Sequence, residues 1–251
     1  MIHITDSSDI RIAEFISHRD HSLNSRNLFI AETEKIFLQH RAHNRPFHKI
    51  LSTEAFAIKY SLHGENIFVA DKKILESVAG FKIHFDVLFL AEIPPDTSVD
   101  KLSNKILVLN GLSSPENVGS IVRSCAAFKI ESLIADEKTC SPFLRRCIRV
   151  SMGNVFALKI HQSNNLREVL NILKKLGFKI ISSANIVKAI SLKHFTFPEK
   201  YVLIIGSEGH GVDQDIINQS DTVLKIDIDS QVAHLNASNA ASIFLSHMSS
   251  I

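Results

Sequence analysis

A long apolar run is missing from this 251-residue chain: nothing approaches the ~18 consecutive apolar residues that a spanning helix needs, so no membrane partner is expected. Cysteine is nearly missing as well. Cys125, Cys140 and Cys147 are an odd three without C-x-x-C spacing, which argues against a disulfide framework and a zinc site and favours a reducing, cytoplasmic setting. The opening stretch, MIHITDSSDI, has neither a basic n-region nor an apolar core, so a signal peptide is not expected. No metal is expected either. No histidine pair has the i, i+4 spacing with a carboxylate that a zinc helix uses, and His40-x-x-His43 stands beside arginines that would repel a cation.

What is present divides unevenly. Hydrophobic residues make up 45% of the chain, enough for one large core or two modest ones. Residues 1–100 carry 11 Lys/Arg against 14 Asp/Glu, whereas residues 101–251 carry 17 against 12. A basic second half suggests a polyanionic partner. Seven of the nine glycines also fall after residue 100, gathered in loops.

The first hundred residues alternate helical and strand patterns, which predicts a small α/β domain. Helical spacing covers Ile10 to His21 and Thr33 to His43, with a further helix over Lys72–Val78; short apolar strands are expected at Leu28–Ala31, Lys49–Leu51, Ile67–Val69 and Asp86–Ala91. Pro94-Pro95-Asp96 closes the domain, and Asp96 to Ser103 reads as a linker, placing domains at 1–98 and 103–251. His18, Arg19, His21, Arg26, His40, Arg41, His43, Arg45, His48 and Lys49 crowd one segment. It is either a solvated polar face or a phosphate-contacting surface.

In the second half a buried strand, Lys105–Leu109, runs through a glycine-containing loop into a helix carrying Ile121, Val122 and Cys125. Strand, loop and helix start together suit anionic ligands. Asn117 is expected at or near the helix N-cap, with Arg123 six residues on. Strands at Ser132–Ala135, Val155–Ile160 and Phe178–Ser182 alternate with helices around Pro142–Ile148 and from Leu166 to Leu176. Tyr201–Ile205 ends in Gly206-Ser207-Glu208-Gly209-His210-Gly211, followed by a short helix from Asp213 to Asn218. A last strand, ending near Ile228, crosses a polar loop into a small-residue segment, Leu235–Ala241, that continues as a helix to His247. This order requires a parallel sheet with helices on both faces. The Gly206–Gly211 loop is not a dinucleotide fingerprint, because Glu208 occupies the position where glycine would admit a pyrophosphate.

Four segments in sequence resemble the SpoU (TrmH-type) family of RNA 2′-O-ribose methyltransferases, within the SPOUT class. They are Asn117-x-Gly119-x-x-x-Arg123-Ser124, Arg149-Val150-Ser151-Met152-Gly153, Gly206-x-Glu208-x-x-Gly211 and Leu235-Asn236-Ala237-Ser238-Asn239-Ala240-Ala241, together spanning roughly residues 103–251. Upstream, Arg26-x-x-Phe29-x-x-Glu32 followed by Lys35 is similar to the signature of a ribosomal-protein-like substrate-binding domain, with Thr33 in place of its glycine. Gly80-Phe81-x-x-His84 is similar to its later glycine turn.

The resemblance implies a C-terminal α/β knot of trefoil type and a homodimer assembled through that domain. It implies S-adenosyl-L-methionine held largely by main-chain groups at Gly206, Ile226, Ile228 and Leu235. Asn117, Arg123, Glu208 and Asn236 form its active-site set, and Arg26, Arg145 and Arg149 its RNA contacts. A guanidinium stays protonated in proteins, so clamping a phosphate suits Arg123 better than acting as a base. Glu208 would orient Arg123 or Asn117. The family's serine before Leu-Asn is His234 here, an imidazole able to accept a proton near neutral pH, and Asp227 replaces its proline. The implied function is 2′-O-methylation of structured RNA, ribosomal in preference to transfer RNA; the alternative is a non-catalytic RNA-binding dimer that retains the fold.

Overall fold

The computed structural model of the chain describes residues 1–16, 20–80 and 82–249. His18 and Arg19 of the basic segment, the stretch 17–19 of the helix expected over Ile10–His21, and Phe81 of the glycine turn lie outside the described residues. The chain forms two compact units, Met1–Pro94 with Phe143–Phe156, and Pro95–Pro142 with Ala157–Ile251.

The first unit contains β1 (Ile2–His3), α1 (Ala13–Ile16), α2 (Asp20–Asn24), β2 (Leu28–Glu32), α3 (Glu34–Ala42), β3 (Lys49–Ser52), α4 (Glu54–Lys59), β4 (Ile67–Val69), α5 (Lys72–Ala79) and β5 (Val87–Glu92). Its sheet runs β1-β4-β3-β5-β2, with β1, β4 and β3 parallel and β5 antiparallel to both its neighbours. Three helices start on side-chain caps. Thr33, Thr53 and Asp71 accept from the N–H groups of Ile36, Phe56 and Ile74. One core packs Leu28, Ile30, Leu51, Leu88 and Leu90 against Ile12, Phe15, Leu75 and Val78. The two-residue β1 and six-residue α4 are too short to show a periodicity, which is why the pattern did not announce them.

In chain order the second unit contributes β6 (Lys105–Asn110), α6 (Pro115–Ala127) and β7 (Ser132–Ala135). The chain then makes α7 (Arg145–Val150) within the first unit before returning through β8 (Lys159–Gln162), α8 (Leu166–Lys175), β9 (Lys179–Ser183), β10 (Ile190–Ser191), β11 (Tyr201–Gly206), α9 (Gln214–Gln219), β12 (Thr222–Lys225) and α10 (Ala237–Ser249). Seven strands form one sheet in the order β10-β12-β9-β11-β6-β7-β8, every pair parallel. β11 and the middle of β6 read as continuous apolar runs because both faces of the sheet are covered. On one face α8 contributes Leu166, Val169, Leu170 and Leu173, at i, i+3, i+4 and i+7, to a core with Val108, Ile134, Ile180 and Ile204. Burying each such side chain is worth roughly 1.5–3 kcal/mol.

Three expectations need correction. Residues 155–157 form a 3-10 turn, and the strand there starts later, at Lys159. The last strand ends at Lys225 rather than near Ile228, because Leu224 and Lys225 are the final residues with sheet partners. The stretch read as a linker is tied into the second unit: Thr97 N–H donates to Ile160 O at 2.8 Å, and the Asp96 carboxylate accepts from Gln162 N–H and meets His161 Nδ1.

Two residues of the first unit stand in costly surroundings. Thr33, at the family's glycine position, has φ of 79°, a left-handed backbone that a β-branched side chain adopts only under strain. Glycine caps a helix almost as well. Thr33→Gly is therefore expected to raise stability to urea by about 1 kcal/mol, and Thr33→Val, which also loses the cap, to lower it.

His40 is fully buried among Phe29, Phe47, Phe89 and Phe156; its Nε2 lies 3.2 Å from Pro46 O and its Nδ1 has no partner among the described residues. Burial holds its pKa below the ordinary 6.5, with Arg45 and His43 pushing the same way. The unfolded chain therefore takes up this proton first as pH falls. The contribution of neutral His40 is complete above pH 6.5 and is lost as pH drops below it. Thermal melts from neutral to acid pH should show a decline that His40→Gln flattens.

Candidate functional site

The site begins at two neighbouring strand ends. β11 and β6 pair with Gly206 opposite Asn110, so the loops that follow leave the sheet side by side. After Gly206 the chain folds back on itself: Ser207 and Gly211 form an isolated bridge, and Gly211 N–H donates to Ser207 O at 2.8 Å. A Cβ on Gly206 would lie 2.0 Å from Gly211 C and 2.1 Å from Val212 N. Glycine is required there by the loop's own return. The returning loop carries Glu208 at its tip.

The other loop enters α6 through Ser114, whose Oγ accepts from Asn117 N–H at 3.4 Å, with Pro115 at the first helical position. Asn117 is thus not the cap. It is the third residue of the helix, and its side chain is free to reach across. Asn117 Nδ2 donates to Glu208 Oε1 at 2.7 Å.

The third element is α10. Asn236 caps it, with Oδ1 accepting from Ser238 N–H at 2.9 Å and Asn239 N–H at 3.3 Å. The amide's other end faces the site. Asn236 Nδ2 donates to Glu208 Oε1 and to Asn117 Oδ1, the latter at 3.0 Å, and Ala237 N–H reaches Glu208 Oε1 at 3.3 Å. Asn236 is therefore both a cap and a member of the cluster. Glu208 engages Asn117, not Arg123.

Beside this cluster lies a cavity of about 240 Å³. Ile205, Gly206 and Leu224 line it from the strand ends, Ile226, Ile228, His234 and Leu235 from the crossing segment, and Ala237, Ala240 and Phe244 from α10. The alanines keep this face of the helix shallow enough for a flat ligand to approach. Asp227 points elsewhere: its carboxylate accepts from Ser191 Oγ at the sheet edge.

Not every expected residue joins. Arg123 is exposed and, among the described residues, makes no hydrogen bond or ion pair. Its neighbour Ser124 links α6 to α10 through Ser242 Oγ at 2.9 Å. In the first unit Arg145 and Arg149 both bind the buried Glu32 carboxylate, Arg149 Nη1 at 3.0 Å, so part of the charge assigned to RNA is already paired. Arg26 is exposed; burial pushes the Glu14 carboxyl up, but the hydrogen bond from Lys49 outweighs it and holds the group below the usual range, with the charge of Arg26 a small further contribution. Sequence reasoning did not find the cavity wall Ser183–Asn185 or the polar pair Asn110 and Asp136. The one available signal was position, since each follows or ends a parallel strand at its carboxyl end.

A family model described as the SpoU rRNA Methylase family matches residues 104–246, more than half of the chain. A tRNA/rRNA methyltransferase of Mycoplasma genitalium, described as uncharacterized, is 32% identical over 159 residues, 61% of this chain and 65% of its own length. The 23S rRNA (guanosine(2553)-2′-O)-methyltransferase of Bacillus subtilis is 25% identical over 146 residues, 58% of each chain. The chain thus spans less than two thirds of these curated relatives. In fold it is similar to an AdoMet-bound rRNA methyltransferase from Sinorhizobium meliloti, with a TM-score of 0.88 at 17% identity over 98% of this chain and 96% of that one. It is likewise similar to the AdoMet complex of AviRb, a SpoU methyltransferase from Streptomyces viridochromogenes, at 0.82 and 18% over 96% and 98%.

Glu208 Oε1 is the common acceptor of the cluster. Glu208→Ala should leave the fold and its global stability nearly unchanged but speed amide exchange at Ala237 in hydrogen-exchange measurements. Unchanged exchange at Ala237 would mean that this carboxylate does not hold the start of α10.

Proposed function

Because the chain belongs to the SpoU rRNA Methylase family, we propose that it is an S-adenosyl-L-methionine-dependent methyltransferase acting on the ribose 2′-OH of structured RNA, ribosomal in preference to transfer RNA. The observation that carries this reading is the meeting of Asn117, Glu208 and Asn236, drawn from the first turn of α6, the 206–211 loop and the cap of α10, at the edge of one largely apolar cavity. The cavity suits the cofactor in kind. Its walls are aliphatic and aromatic with small residues on one side, as an adenine ring requires. Ile226, Ile228 and Leu235 lie outside the strands and helices, so their N–H and C=O groups are not consumed by a ladder and can recognise a ligand's polar edges. In this reading Gly206, Ile226, Ile228 and Leu235 hold S-adenosyl-L-methionine, which supplies the methyl group.

The remaining work belongs to the protein's own side chains. Asn117 and Asn236, fixed by an acceptor-only carboxylate, present amide groups at the rim and hold the target nucleotide. Arg123, exposed and without a hydrogen-bond or ion-pair partner among the described residues, is available to clamp a phosphate of the RNA. His234 lines the cavity mouth and is the candidate to take the hydroxyl proton. The reading extends to the family's trefoil knot, to a homodimer formed through the second unit, and to the first unit as an RNA-binding module in which Arg26, Arg145 and Arg149 contribute. Asp227, where the family has proline, is accommodated because its side chain bonds Ser191 rather than entering the cavity. This favours an enzyme over a non-catalytic RNA-binding relic.

Calorimetry with S-adenosyl-L-methionine, followed by transfer of labelled methyl groups to ribosomal and transfer RNA and mapping of the modified ribose, tests the proposal. Saturable binding and a 2′-O-methyl product are expected, with Asn236→Ala and Arg123→Ala each lowering turnover by roughly 10²-fold. His234→Ala should also lower turnover while leaving S-adenosyl-L-methionine bound. No binding at millimolar ligand would leave the non-catalytic reading.

A further inference from the structure

The loops that carry Asn117 and Glu208 meet twice, once at their tips and once at their roots. At the roots stands a buried polar network that is not part of the cavity lining. Asn110, the last residue of β6, is 3% exposed, and Asp136, just after β7, is 4% exposed. Asn110 uses its whole amide. Its Oδ1 accepts from Asp213 N–H at 2.8 Å, and its Nδ2 donates to Asp136 Oδ2 at 2.7 Å and Asp213 Oδ2 at 3.2 Å. Asp136 in turn accepts from Gly111 N–H at 3.0 Å, from Lys138 N–H at 3.3 Å and from Thr139 Oγ1 at 2.6 Å. Thr139 Oγ1 also accepts from Leu112 N–H at 3.1 Å.

The consequence is geometric. Asp136 and Thr139 hold the N–H groups of Gly111 and Leu112, the first residues of the loop into α6, and Gly111 makes that bend with φ of 73°. Asn110 holds the backbone of Asp213, where the Glu208 loop ends. One carboxylate therefore sets the departure of one loop and, through Asn110, the return of the other. Lys138 Nζ sits on Asp213 at 2.8 Å, not on Asp136. Asp136 is thus a buried carboxylate held by hydrogen-bond donors alone, an arrangement that works only while both its oxygens accept.

We propose that Asp136, acting through Asn110, is the positioning residue of the site: it fixes the two loop roots so that Asn117 and Glu208 meet at the cavity rim. Neither residue lines that cavity, so the role is one of placement, and its effect on turnover rests on the methyl-transfer reading above. An amide at 136 keeps the shape of the carboxylate but turns one acceptor into a donor, which then faces Asn110 Nδ2 or the Gly111 N–H. Thr139→Val is a gentler change that removes one donor to Asp136 and the acceptor of Leu112 N–H but keeps the carboxylate.

The test is to label the protein with ¹⁵N and follow the side-chain amide signals of Asn117 and Asn236 in Asp136→Asn and Thr139→Val, alongside turnover and cofactor affinity. Both amide pairs are expected to move in both variants, with turnover falling about ten- to a hundredfold in Asp136→Asn while the dissociation constant for S-adenosyl-L-methionine changes less than about twofold. Asn117 and Asn236 signals unmoved in a folded variant would overturn the assignment. Should Asp136→Asn fail to fold, Thr139→Val gives the same readout. The amide signals need no turnover. If the wild-type protein transferred no methyl group, the functional reading would fall while the spectra still decided the positioning role.

Discussion

Glu208 Oε1 is the atom on which this arrangement depends. It receives an N–H from the third residue of α6, another from the cap of α10 and a third from the first residue of α10. A carboxylate oxygen can only accept, so these groups must all turn toward it. Both helices also present their N-termini, the ends where backbone dipoles favour negative charge. Being exposed, the carboxylate adds little to global stability. Its value is directional: it brings together elements that begin more than a hundred residues apart, and it leaves the free faces of Asn117 and Asn236 pointing outward.

That meeting has a cause deeper in the sheet. Parallel pairing of β11 with β6 sets Gly206 beside Asn110, so both loops start from the same edge whatever their side chains are. The loops then diverge in method. The 206–211 loop closes on itself and needs glycine for lack of room, whereas the 110–114 loop is held from outside by Asp136 and Thr139. One loop is rigid by its own backbone and the other by borrowed contacts. A change at position 136 would therefore be felt at Asn117 before it was felt at Glu208.

The large features were legible in the sequence because each has a local cause. Tyr201–Ile205 and Lys105–Leu109 are apolar runs of strand length bounded by glycine-containing loops, and α8 shows its apolar stripe at helical spacing. Asn117, Glu208 and Asn236 could be picked out by motif. That they share one oxygen could not, since nothing in a linear pattern fixes which partner an amide finds across 91 or 28 residues. The same limit hid Asp136, an ordinary residue after a strand until Asn110 and Gly111 are seen to donate to it. It also misplaced the end of β12. Ile226 and Ile228 continue the alternation of a strand, but their side chains line the cavity beyond the last paired residue. Alternation reports burial on one side; it does not say whether a strand or a ligand does the covering.

The departures from the family pattern can be sorted on the same physical ground. Thr33 keeps the backbone that glycine would adopt and tolerates it while capping α3. Asp227 replaces a residue without a hydrogen-bonding side chain, yet its carboxylate is spent on Ser191 at the sheet edge. Each is absorbed where it stands. His234 is different, because it is the one departure that lines the cavity, and the atoms it offers there are an imidazole's in place of a hydroxyl. A hydroxyl can donate and accept but holds no proton of its own near neutrality; an imidazole can take one up and release it. In the proposed reaction His234 is the departure that bears on the substrate's proton, since Glu208, Asn117 and Asn236 are already committed to one another.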